Sequence, residues 1–506
     1  MTQLDDALLE GSGTQRLAGA LPVPPPHDAR RWWILAVLTL AQLMVVLDAT
    51  VVNIALPSAQ RALAFSTVDR QWVVTAYSLA FGGLLLLGGR LSDLMGRRRM
   101  LIVGMVGFAL ASATGGAATT FVMLAAARAV QGAFGALLAP AALSQLTTTF
   151  DDPRERGKAF GIYGAVAGAG GAVGLILGGA LTQYLDWRWC LYVNLVLAAV
   201  GLAGALAFLP RGERQRGIRL DWAGVATAVA GLAAIVYGFS EADTNSWTSP
   251  LTLALLAAGV ALLGAFLIIE RHSPHPLLPL RVLADRNRGT ADLVMLVSGI
   301  GMFGVFLFLT YFIQLNLGFS PLMSGVSFLP MIAMLVVCSV TANARLLPRV
   351  GPRWLVTVGM ALAAAGLVVF AQLHVGSTYL HGVVPGLLLI GAGLGLVFGS
   401  AMNVATSGAG AADAGVASAL PNIGQQVGGS IGTALLNTLA VSAATAYVAS
   451  HGLSRLAQAS AAVHGEDVAF WVAAGVFAAG AVLAALLFGR GPVAVEHGGS
   501  HAPGVL

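Results

Sequence analysis

The chain has 506 residues, of which 57% are hydrophobic and only 10% are charged, and its mean hydropathy is +0.82. These values exclude a soluble globular protein, because the charged side chains are too few to cover the surface of a chain of this length. The net charge of +5 does not indicate nucleic-acid binding, since the basic residues are dispersed among short loops. Cys190 and Cys338 lie far apart in apolar surroundings, which argues against a disulfide framework or a metal site.

Long apolar stretches recur from Trp32 almost to the C-terminus, each about long enough to cross a hydrocarbon core of ~30 Å. The first of them is too long for a cleavable signal peptide, so we expect it to remain as the first helix. The predicted fold class is an all-α polytopic membrane protein with about 14 transmembrane helices. The predicted spans are 32–56, 71–91, 100–119, 121–145, 158–182, 189–209, 221–240, 251–270, 290–315, 325–346, 353–373, 382–404, 414–446 and 468–489. The span 414–446 is long for one crossing, and we expect it to include an extramembrane turn.

The distribution of Lys and Arg predicts the orientation of these helices. All but five of the 27 Lys and Arg residues fall in even-numbered loops or in the two tails. The exceptions are Arg61, Arg70, Arg188 and Arg455 in odd-numbered loops and Arg128 inside the fourth helix. Because cytoplasmic loops carry the excess of basic residues, we expect a multi-pass protein of the cell inner (plasma) membrane with both termini in the cytoplasm.

Two loops on the predicted cytoplasmic side have similar patterns. The loop after helix two reads Gly89-x-Leu91-x-Asp93-x-x-Gly96-Arg97-Arg98, and the loop after helix ten has Gly351 and Arg353 at positions that match Gly96 and Arg98. The match indicates an internal repeat of two six-helix bundles, although chance similarity between basic loops is an alternative. The expected divisions are an N-terminal tail, a first bundle, a linker with two extra transmembrane helices, a second bundle and a C-terminal tail, at 1–31, 32–209, 210–289, 290–489 and 490–506.

Asp48 is the one acidic residue that we place well inside an apolar span. An intramembrane carboxylate is costly and is a functional candidate by default, because its apolar surroundings disfavour the charged form and promote proton exchange. Arg128 in helix four falls at a similar depth, roughly 10–14 Å below the outer surface at ~1.5 Å per residue, so we expect the two to pair. Gln131 lies one turn from Arg128. The alternatives are a purely structural ion pair and, for Gln131, a hydrogen bond to a neighbouring helix.

Other residues within the predicted spans are candidates for ligand contact or for movement. Helix thirteen has Asn422, Gln425 and Gln426, which we expect to face a cavity. Helix nine has an aromatic run from Phe303 to Tyr311, followed by Gln314, which could line that cavity or belong to the core or the lipid-facing surface. Glycines at four-residue spacing predict close helix contacts, either static or sliding, in helices five and twelve. They are Gly170, Gly174 and Gly178, and Gly391, Gly395 and Gly399.

Several charged or titratable residues are expected outside the apolar spans. All nine histidines fall in predicted loops or tails, which favours carboxylate chemistry over a histidine relay. Asp221, Asp292 and Asp413 lie near predicted helix starts, where we expect them to cap or to stabilise the helix dipole. The loop residues Asp93, Arg97 and Arg98 could form a charge latch between two moving halves or could serve only to determine topology.

Over approximately residues 32–490, the chain resembles the major facilitator superfamily and, within it, the fourteen-helix drug:proton antiporter family. The loop after helix two resembles the superfamily signature. The run Leu47-Asp48-Ala-Thr50-Val-Val-Asn53-Ile-Ala-Leu-Pro57 resembles the first-helix motif of the fourteen-helix family, and Arg128-Ala-Val-Gln131-Gly132 resembles its fourth-helix motif. Further similarities are Trp187-Arg188-Trp189 with Asn194 at the entry to helix six, and Gln314-x-x-x-Gly318 at the turn after helix nine.

Two positions depart from the family pattern. The fifth-helix motif usually has Gly-Pro before its Gly-Gly pair, but this chain reads Gly174-Leu175-Ile-Leu-Gly178-Gly179. In helix thirteen, Gln425 precedes Gln426 where the family often has Arg. The missing proline puts the inference of antiport in doubt.

The resemblance implies proton-coupled export of small lipophilic compounds, cationic or neutral, by a monomer in the lipid bilayer, with no cofactor except the coupling proton. It assigns proton coupling or substrate binding to Asp48, Arg128, Asn53, Gln131, Tyr311, Gln314, Asn422, Gln425 and Gln426. It assigns gating to Gly89, Asp93, Gly96, Arg97, Arg98, Gly170, Gly174, Gly178 and Gly179. Alternatives are a dedicated exporter of one metabolite or antibiotic and an uncoupled uniporter. An enzyme is not expected, because we find no nucleophile, metal cluster or paired carboxylates at one depth.

Overall fold

The computed structural model describes residues 30–150, 152–210, 221–273, 276–278, 280–407, 414–452, 454–489 and 491. Within these residues the chain forms fourteen long helices. They are α1 (Arg30–Leu63), α2 (Arg70–Met95), α3 (Arg97–Gly116), α4 (Phe121–Thr149), α5 (Pro153–Tyr184), α6 (Trp189–Phe208), α7 (Trp222–Asn245), α8 (Pro250–His272), α9 (Arg286–Asn316), α10 (Pro321–Thr341), α11 (Pro352–Phe370), α12 (Tyr379–Thr406), α13 (Ala414–His451) and α14 (Arg455–Leu487). Among the described residues, 13 helices are long and apolar enough to cross a membrane, and the 32-residue α5 is compatible with a further crossing.

The all-α polytopic fold class is therefore confirmed, but two predicted boundaries near the C-terminus are wrong. The expected turn within 414–446 is absent, because α13 continues as one helix of 38 residues with Pro421 in its second turn. Helix α14 begins at Arg455 and not near residue 468. It includes Glu466, which hydropathy alone places outside the span but which the fold buries to 7% exposure.

Polar side chains stabilise the helix starts by accepting hydrogen bonds from free backbone N–H groups. Asp221 caps α7 by accepting from Gly224 N at 2.8 Å, as predicted. The expected cap at Asp292 is wrong, because Asp285 caps α9 and Asp292 lies seven residues later, buried in the helix. Asp413 lies outside the described residues.

The packing divides the fourteen helices into two groups and a linking pair. Helix α1 packs against α4, α5 and α6, and α4 also packs against α2 and α3. In the second group α9 packs against α12, α13 and α14, and α11 packs against α12 and α14. The two groups meet where α2 packs on α13 and where α5 packs on the start of α10. Helices α7 and α8 pack on each other, and α7 also contacts α2 and α13.

The glycines of α5 permit the close approach of two neighbouring helices. A methyl group placed at Gly170 would lie 3.1 Å from Leu43, one at Gly174 would overlap Oγ1 of Thr50, and one at Gly178 would lie 2.9 Å from the carbonyl oxygen of Val51. These three glycines therefore face α1, and the predicted close contact is present. Gly179 faces the other group of helices, where a methyl group would come within 2.5 Å of the Pro321 carbonyl oxygen.

We expect Gly174→Ala to destabilise the protein by about 1–3 kcal/mol, because the added methyl group has no space between α5 and α1. The change in thermal unfolding of the purified protein in detergent would measure this effect. Gly171→Ala is the matched control, since nothing lies within 4 Å of a methyl group at that position. An equal loss of stability in both variants would contradict the packing argument.

Candidate functional site

Asp48 and Arg128 form an ion pair in the centre of the first group of helices, as the sequence predicts. Nη1 of Arg128 donates to Oδ2 of Asp48 at 2.5 Å. The side chain of Asp48 is 0% exposed, and that of Arg128 is 2% exposed. Because two buried charges attract strongly in apolar surroundings and neither tolerates the loss of its partner, the pair ties α1 to α4.

Two amides complete the hydrogen bonding of the Asp48 carboxylate, and a serine hydroxyl bonds both amides. Nε2 of Gln131 donates to Oδ1 of Asp48 at 2.7 Å, and Nδ2 of Asn194 on α6 donates to the same oxygen at 2.8 Å. Ser112 on α3 accepts from both amides, at 2.6 and 2.9 Å. We call these five residues, Asp48, Ser112, Arg128, Gln131 and Asn194, the carboxylate cluster. The cluster connects α1, α3, α4 and α6.

Two members of the carboxylate cluster were not predicted as site residues. Asn194 could have been found, since it belongs to the sixth-helix pattern and is an amide inside an apolar run. Ser112 gives no such signal, because a serine in a transmembrane helix usually bonds its own backbone. Only the packing of α3 against α4 and α6 brings its hydroxyl to the two amides that bond the carboxylate.

The guanidinium of Arg128 has further partners besides Asp48. Nε of Arg128 donates to the carbonyl oxygen of Val73 at 3.0 Å, Nη1 also donates to Oε1 of Gln131 at 2.6 Å, and the guanidinium lies 4.3 Å from the ring centroid of Tyr77. The cluster is closed in this conformation, so Asp48 is inaccessible to a ligand.

The two groups of helices are joined at the end of the molecule where α1 ends and α2 begins, which we call the α1–α2 end. Tyr311 donates from its hydroxyl to Oε1 of Gln60 at 2.5 Å, and Nε2 of Gln314 donates to the carbonyl oxygen of Ile54 at 3.0 Å. Gln314 lies in a π-helical turn at Phe312–Asn316, a feature frequent at functional sites. Both predicted residues thus contact α1, which also contains Asp48.

Arg70 strengthens the same junction by reaching from α2 into the second group of helices. Its Nε donates to Oδ1 of Asn437 on α13 at 2.9 Å. Its guanidinium lies 4.3 Å from the ring centroid of Tyr311 and 5.6 Å from that of Phe308. The aromatic residues of α9 from Phe306 to Phe312 are buried, so they serve here as core and junction and not as an open wall.

The polar residues of α13 lie where this helix packs against α2 and α9. Nε2 of Gln425 donates weakly to Sδ of Met302 at 3.6 Å. Gln426 faces Gly82 on α2, and its Oε1 is buried without a hydrogen-bond partner among the described residues. Asn422 is half-buried and does have a polar contact. Gln425 therefore has a weak partner at membrane depth, and the side-chain oxygen of Gln426 has none among the described residues. Asn53, in contrast, is buried and donates to the carbonyl oxygen of Ala49 on its own helix at 2.9 Å.

The loop residues predicted for gating bind within the first group of helices in this conformation. Arg97 donates from Nη1 to Oγ1 of Thr148 at 2.9 Å, and Arg98 donates from Nη2 to the carbonyl oxygen of Leu206 at 3.1 Å. Gly96 has φ = +92°, which favours glycine at the sharp turn between α2 and α3. Gly89 faces Pro140 of α4. The side chain of Asp93 lies outside the described residues, so the latch stays a prediction.

The structure buries acidic residues that the sequence analysis does not place well inside an apolar span. Besides Asp48, the buried carboxyl groups include Glu270, Asp292 and Glu466, at 3, 8 and 7% exposure. The expectation that every histidine lies in a loop or tail is also wrong, because His464 is in α14. Its ring lies 5.2 Å from that of Tyr447 on α13. Hydropathy misses these residues because it averages along the chain and does not register burial between helices.

The chain is similar to transporters in both sequence and fold. A puromycin resistance protein of Streptomyces alboniger is 51% identical over 476 residues, which cover 94% of each chain. A cephamycin export protein of Amycolatopsis lactamdurans is 40% identical, over 81% of this chain and 86% of that protein. A bacterial homologue of the human lysosomal transporter Spinster, solved in an inward-facing and unoccupied conformation, has the same fold. The comparison of the two structures gives a TM-score of 0.63 at 16% sequence identity, and it covers 91% of this chain and 97% of that one.

The family model of the Major Facilitator Superfamily matches residues 38–433, which include α1 to α12 and the first half of α13. This match agrees with the first-helix, loop and fourth-helix patterns and with the strong identity to antibiotic resistance and export proteins. The protein is therefore a multi-pass membrane transporter of small molecules and not an enzyme. The chain belongs to the major facilitator superfamily, and its relatives include antibiotic resistance and export proteins.

Proposed function

We propose that the protein exports small lipophilic antibiotics, cationic or neutral, in exchange for protons, acting as a monomer by alternating access. The observation that carries this proposal is the closed carboxylate cluster, in which Asp48 and Arg128 are both buried and directly bonded. A buried carboxylate with a basic partner can hold or release a proton with a large effect on its surroundings. The similarity to a puromycin resistance protein makes puromycin the first substrate to test.

Protonation of Asp48 would break the balance of charge in the cluster. Arg128 would then be a buried cation without its anion, which costs about 3–5 kcal/mol if its surroundings do not change. A shift of α4 and α6 relative to α1 would lower this free-energy cost, because Arg128 would then find other partners or water. The proton is thus the ligand of Asp48 in this proposal, and the antibiotic binds elsewhere.

Helix α1 couples the proton site to the junction between the two groups of helices. Asp48 lies six residues before Ile54 and twelve before Gln60, which is roughly 9 and 18 Å along a helix. Ile54 and Gln60 are the contacts of Gln314 and Tyr311 across the junction. A movement of α1 that follows protonation therefore acts directly on the contacts that keep the α1–α2 end closed.

The proposed orientation places the α1–α2 end outside the plasma membrane and both termini in the cytoplasm. The excess of Lys and Arg at the opposite end supports it. In this orientation the junction at the α1–α2 end closes the protein to the outside. Gln425, Gln426 and Asn422 are the proposed substrate contacts. The weak bond of Gln425 and the unbonded oxygen of Gln426 favour this role, because such amides can take a new partner at low cost.

The orientation predicts that an epitope tag at the C-terminus is cytoplasmic. Antibody binding to the tag in spheroplasts should therefore require permeabilisation of the membrane. A tag inserted between Leu63 and Arg70 is the matched control, since it should bind antibody without permeabilisation. The reverse pattern would contradict the orientation.

We expect Asp48→Asn to abolish puromycin transport driven by a pH gradient in proteoliposomes, because the neutral amide cannot exchange a proton. Transport by this variant should fall to the rate that is measured without a gradient. Wild-type protein in the same vesicles should transport faster when the gradient is imposed.

The control for this experiment is the exchange of labelled for unlabelled puromycin at equal pH, which does not require net proton movement. Asp48→Asn should retain this exchange if it is folded. Loss of both activities would indicate misfolding, in which case Asp48→Glu, which retains the carboxyl group, should regain gradient-driven transport. A wild-type rate that does not respond to the gradient would contradict antiport.

We expect Gln425→Leu to raise the half-saturating puromycin concentration roughly 2- to 10-fold, because one hydrogen bond to the substrate is lost. The dependence on the pH gradient should not change, since Gln425 is not part of the carboxylate cluster. Gln372→Leu, at an exposed site after α11, is the control and should leave the half-saturating concentration unchanged. Equal effects of the two substitutions would remove Gln425 from the proposed substrate site.

Two alternatives remain testable with the same vesicles. A dedicated exporter of one antibiotic is supported by the similarity to a cephamycin export protein, and it predicts transport of one compound among a chemically varied set. An uncoupled uniporter is supported by Leu175, which stands where antiporters of the family have proline. It predicts equal transport rates with and without a gradient.

A further inference from the structure

Asp292 is an acidic residue inside the second group of helices, and its side chain has no partner. It lies in α9, seven residues after the cap Asp285, and is 8% exposed. Its Oδ1 is buried without a hydrogen-bond partner, and no ion pair to Asp292 forms among the described residues. Asp48 in the first group, in contrast, is bonded by a guanidinium and two amides. A buried carboxyl group without a donor is costly, so Asp292 requires a physical explanation.

The arginines that precede Asp292 in α9 bind the ends of other helices. Nη2 of Arg286 donates to the carbonyl oxygen of Leu486 at 3.0 Å, and Nε of Arg288 donates to that of Ser407 at 3.1 Å. Arg288 is one helical turn before Asp292, at a spacing that permits a salt bridge, but the two residues do not form one. The start of α9 therefore does not supply the cation that Asp292 lacks.

Asp292 lies on the face of α9 that packs against α13, beside the proposed substrate contacts. A methyl group at Gly424 of α13 would lie 3.0 Å from the carbonyl oxygen of Asp292, and one at Gly299 of α9 would overlap the carbonyl oxygen of Gln425. Asp292 and Gly299 are seven residues apart, which places them on one side of the helix. Gly424 follows Asn422 and directly precedes Gln425. The unpartnered carboxyl group and the amides of α13 thus belong to the same contact between helices.

The position of Asp292 along α9 places it on the cytoplasmic side of Gln425 in the proposed orientation. Helix α9 begins at Arg286, and Tyr311 near its other end belongs to the α1–α2 end. Asp292 is six residues after Arg286 and seven before Gly299, which is roughly 9 and 10 Å along the helix. A substrate that enters from the cytoplasm would therefore reach the level of Asp292 before that of Gln425.

A protonated amine has the two properties that the surroundings of Asp292 lack. It brings a positive charge and several N–H donors in one compact group, and its hydrogen bonds to a carboxylate are charge-assisted. A hydroxyl group could donate one hydrogen bond, but it would leave the charge of a buried carboxylate uncompensated. Ionisable residues inside a membrane protein mark substrate or ion pathways, which agrees with a ligand of this kind.

We propose that Asp292 binds the protonated amine of cationic antibiotics and makes the transporter prefer amines to neutral compounds of the same shape. This proposal rests on the proposed function, because it adds a cation-binding carboxylate to the substrate contacts of α13. The coupling proton stays at Asp48. Recognition of the substrate charge and coupling to protons therefore depend on different carboxyl groups, one in each group of helices.

Ligand binding to the full-length protein in lipid nanodiscs tests this proposal without measuring transport. The two ligands are puromycin, whose amino group is protonated at mildly acidic pH, and the analogue in which a hydroxyl group replaces that amine. The wild type should bind puromycin roughly 10-fold or more tightly than the analogue, the ratio expected for a charged hydrogen bond. Asp292→Asn should weaken puromycin binding to the level of the analogue and should leave the affinity for the analogue unchanged.

Three variants serve as controls for the ratio of the two affinities. Asp186→Asn removes a carboxylate that is 46% exposed before α6, and it should keep the wild-type ratio. Gln425→Leu should weaken the binding of both compounds by the same factor and keep the ratio. Asp292→Leu gives a second reading if Asp292→Asn is poorly folded, because an apolar side chain suits a buried position, and it should also lose the preference for the amine. Equal affinities of the wild type for the two compounds, or a wild-type ratio in either variant of Asp292, would overturn the proposal.

The test is separate from that of the proposed function. Asp48→Asn should lose gradient-driven transport and yet keep the preference for the amine, whereas Asp292→Asn should transport the hydroxyl analogue faster when a pH gradient is imposed. A preference that is lost in Asp48→Asn and kept in Asp292→Asn would place the amine in the carboxylate cluster and overturn the proposal. Absence of binding of both compounds to the wild type would contradict puromycin as a substrate and, with it, both proposals.

Discussion

The ion pair between Asp48 and Arg128 is the interaction on which the arrangement of the first six helices depends. Both side chains are enclosed, so each charge is stabilised by the other and by the amides and hydroxyl around them and not by water. A pair of this kind contributes little net stability compared with apolar packing, but the loss of either partner is severe. This asymmetry suits the pair to the proposed proton coupling, in which one proton would change the preferred packing of several helices.

Helix α1 connects the carboxylate cluster with other parts of the molecule. It contacts the glycine face of α5 on one side, the carboxylate cluster in its middle and the second group of helices near its end. The absence of side chains at Gly170, Gly174 and Gly178 lets α1 and α5 lie close without interlocking. Helices in contact through smooth surfaces can pack tightly and still shift, as the proposed alternating access requires.

The closed junction at the α1–α2 end has a different physical character from the carboxylate cluster. Its bonds run between the two groups of helices, and its cation is held by aromatic rings and an amide. Cation–π and neutral hydrogen bonds have moderate strength, so such a junction can open at moderate cost. The cluster inside the first group is protected from water, whereas the junction lies at the membrane surface where water can replace its bonds.

The sequence by itself determined the fold class, the approximate number of helices and the pairing of Asp48 with Arg128. It could do so because the thickness of the bilayer imposes the length of apolar runs, and because a charge within such a run demands a partner at the same depth. The family pattern placed Gln131 and Asn194 in helices four and six, although it assigned no contact between them.

Only the tertiary structure decided which polar residues share one site. Ser112 joins the carboxylate because α3 and α6 are packed together, and Glu466 is buried because α14 begins earlier than hydropathy predicts. Arg70, which counts as a loop residue in the sequence, reaches across to a different group of helices. Hydropathy measures transfer of a segment from water to lipid, whereas burial of a single side chain depends on neighbours distant in the chain. That is the physical reason why the sequence alone could not identify these contacts.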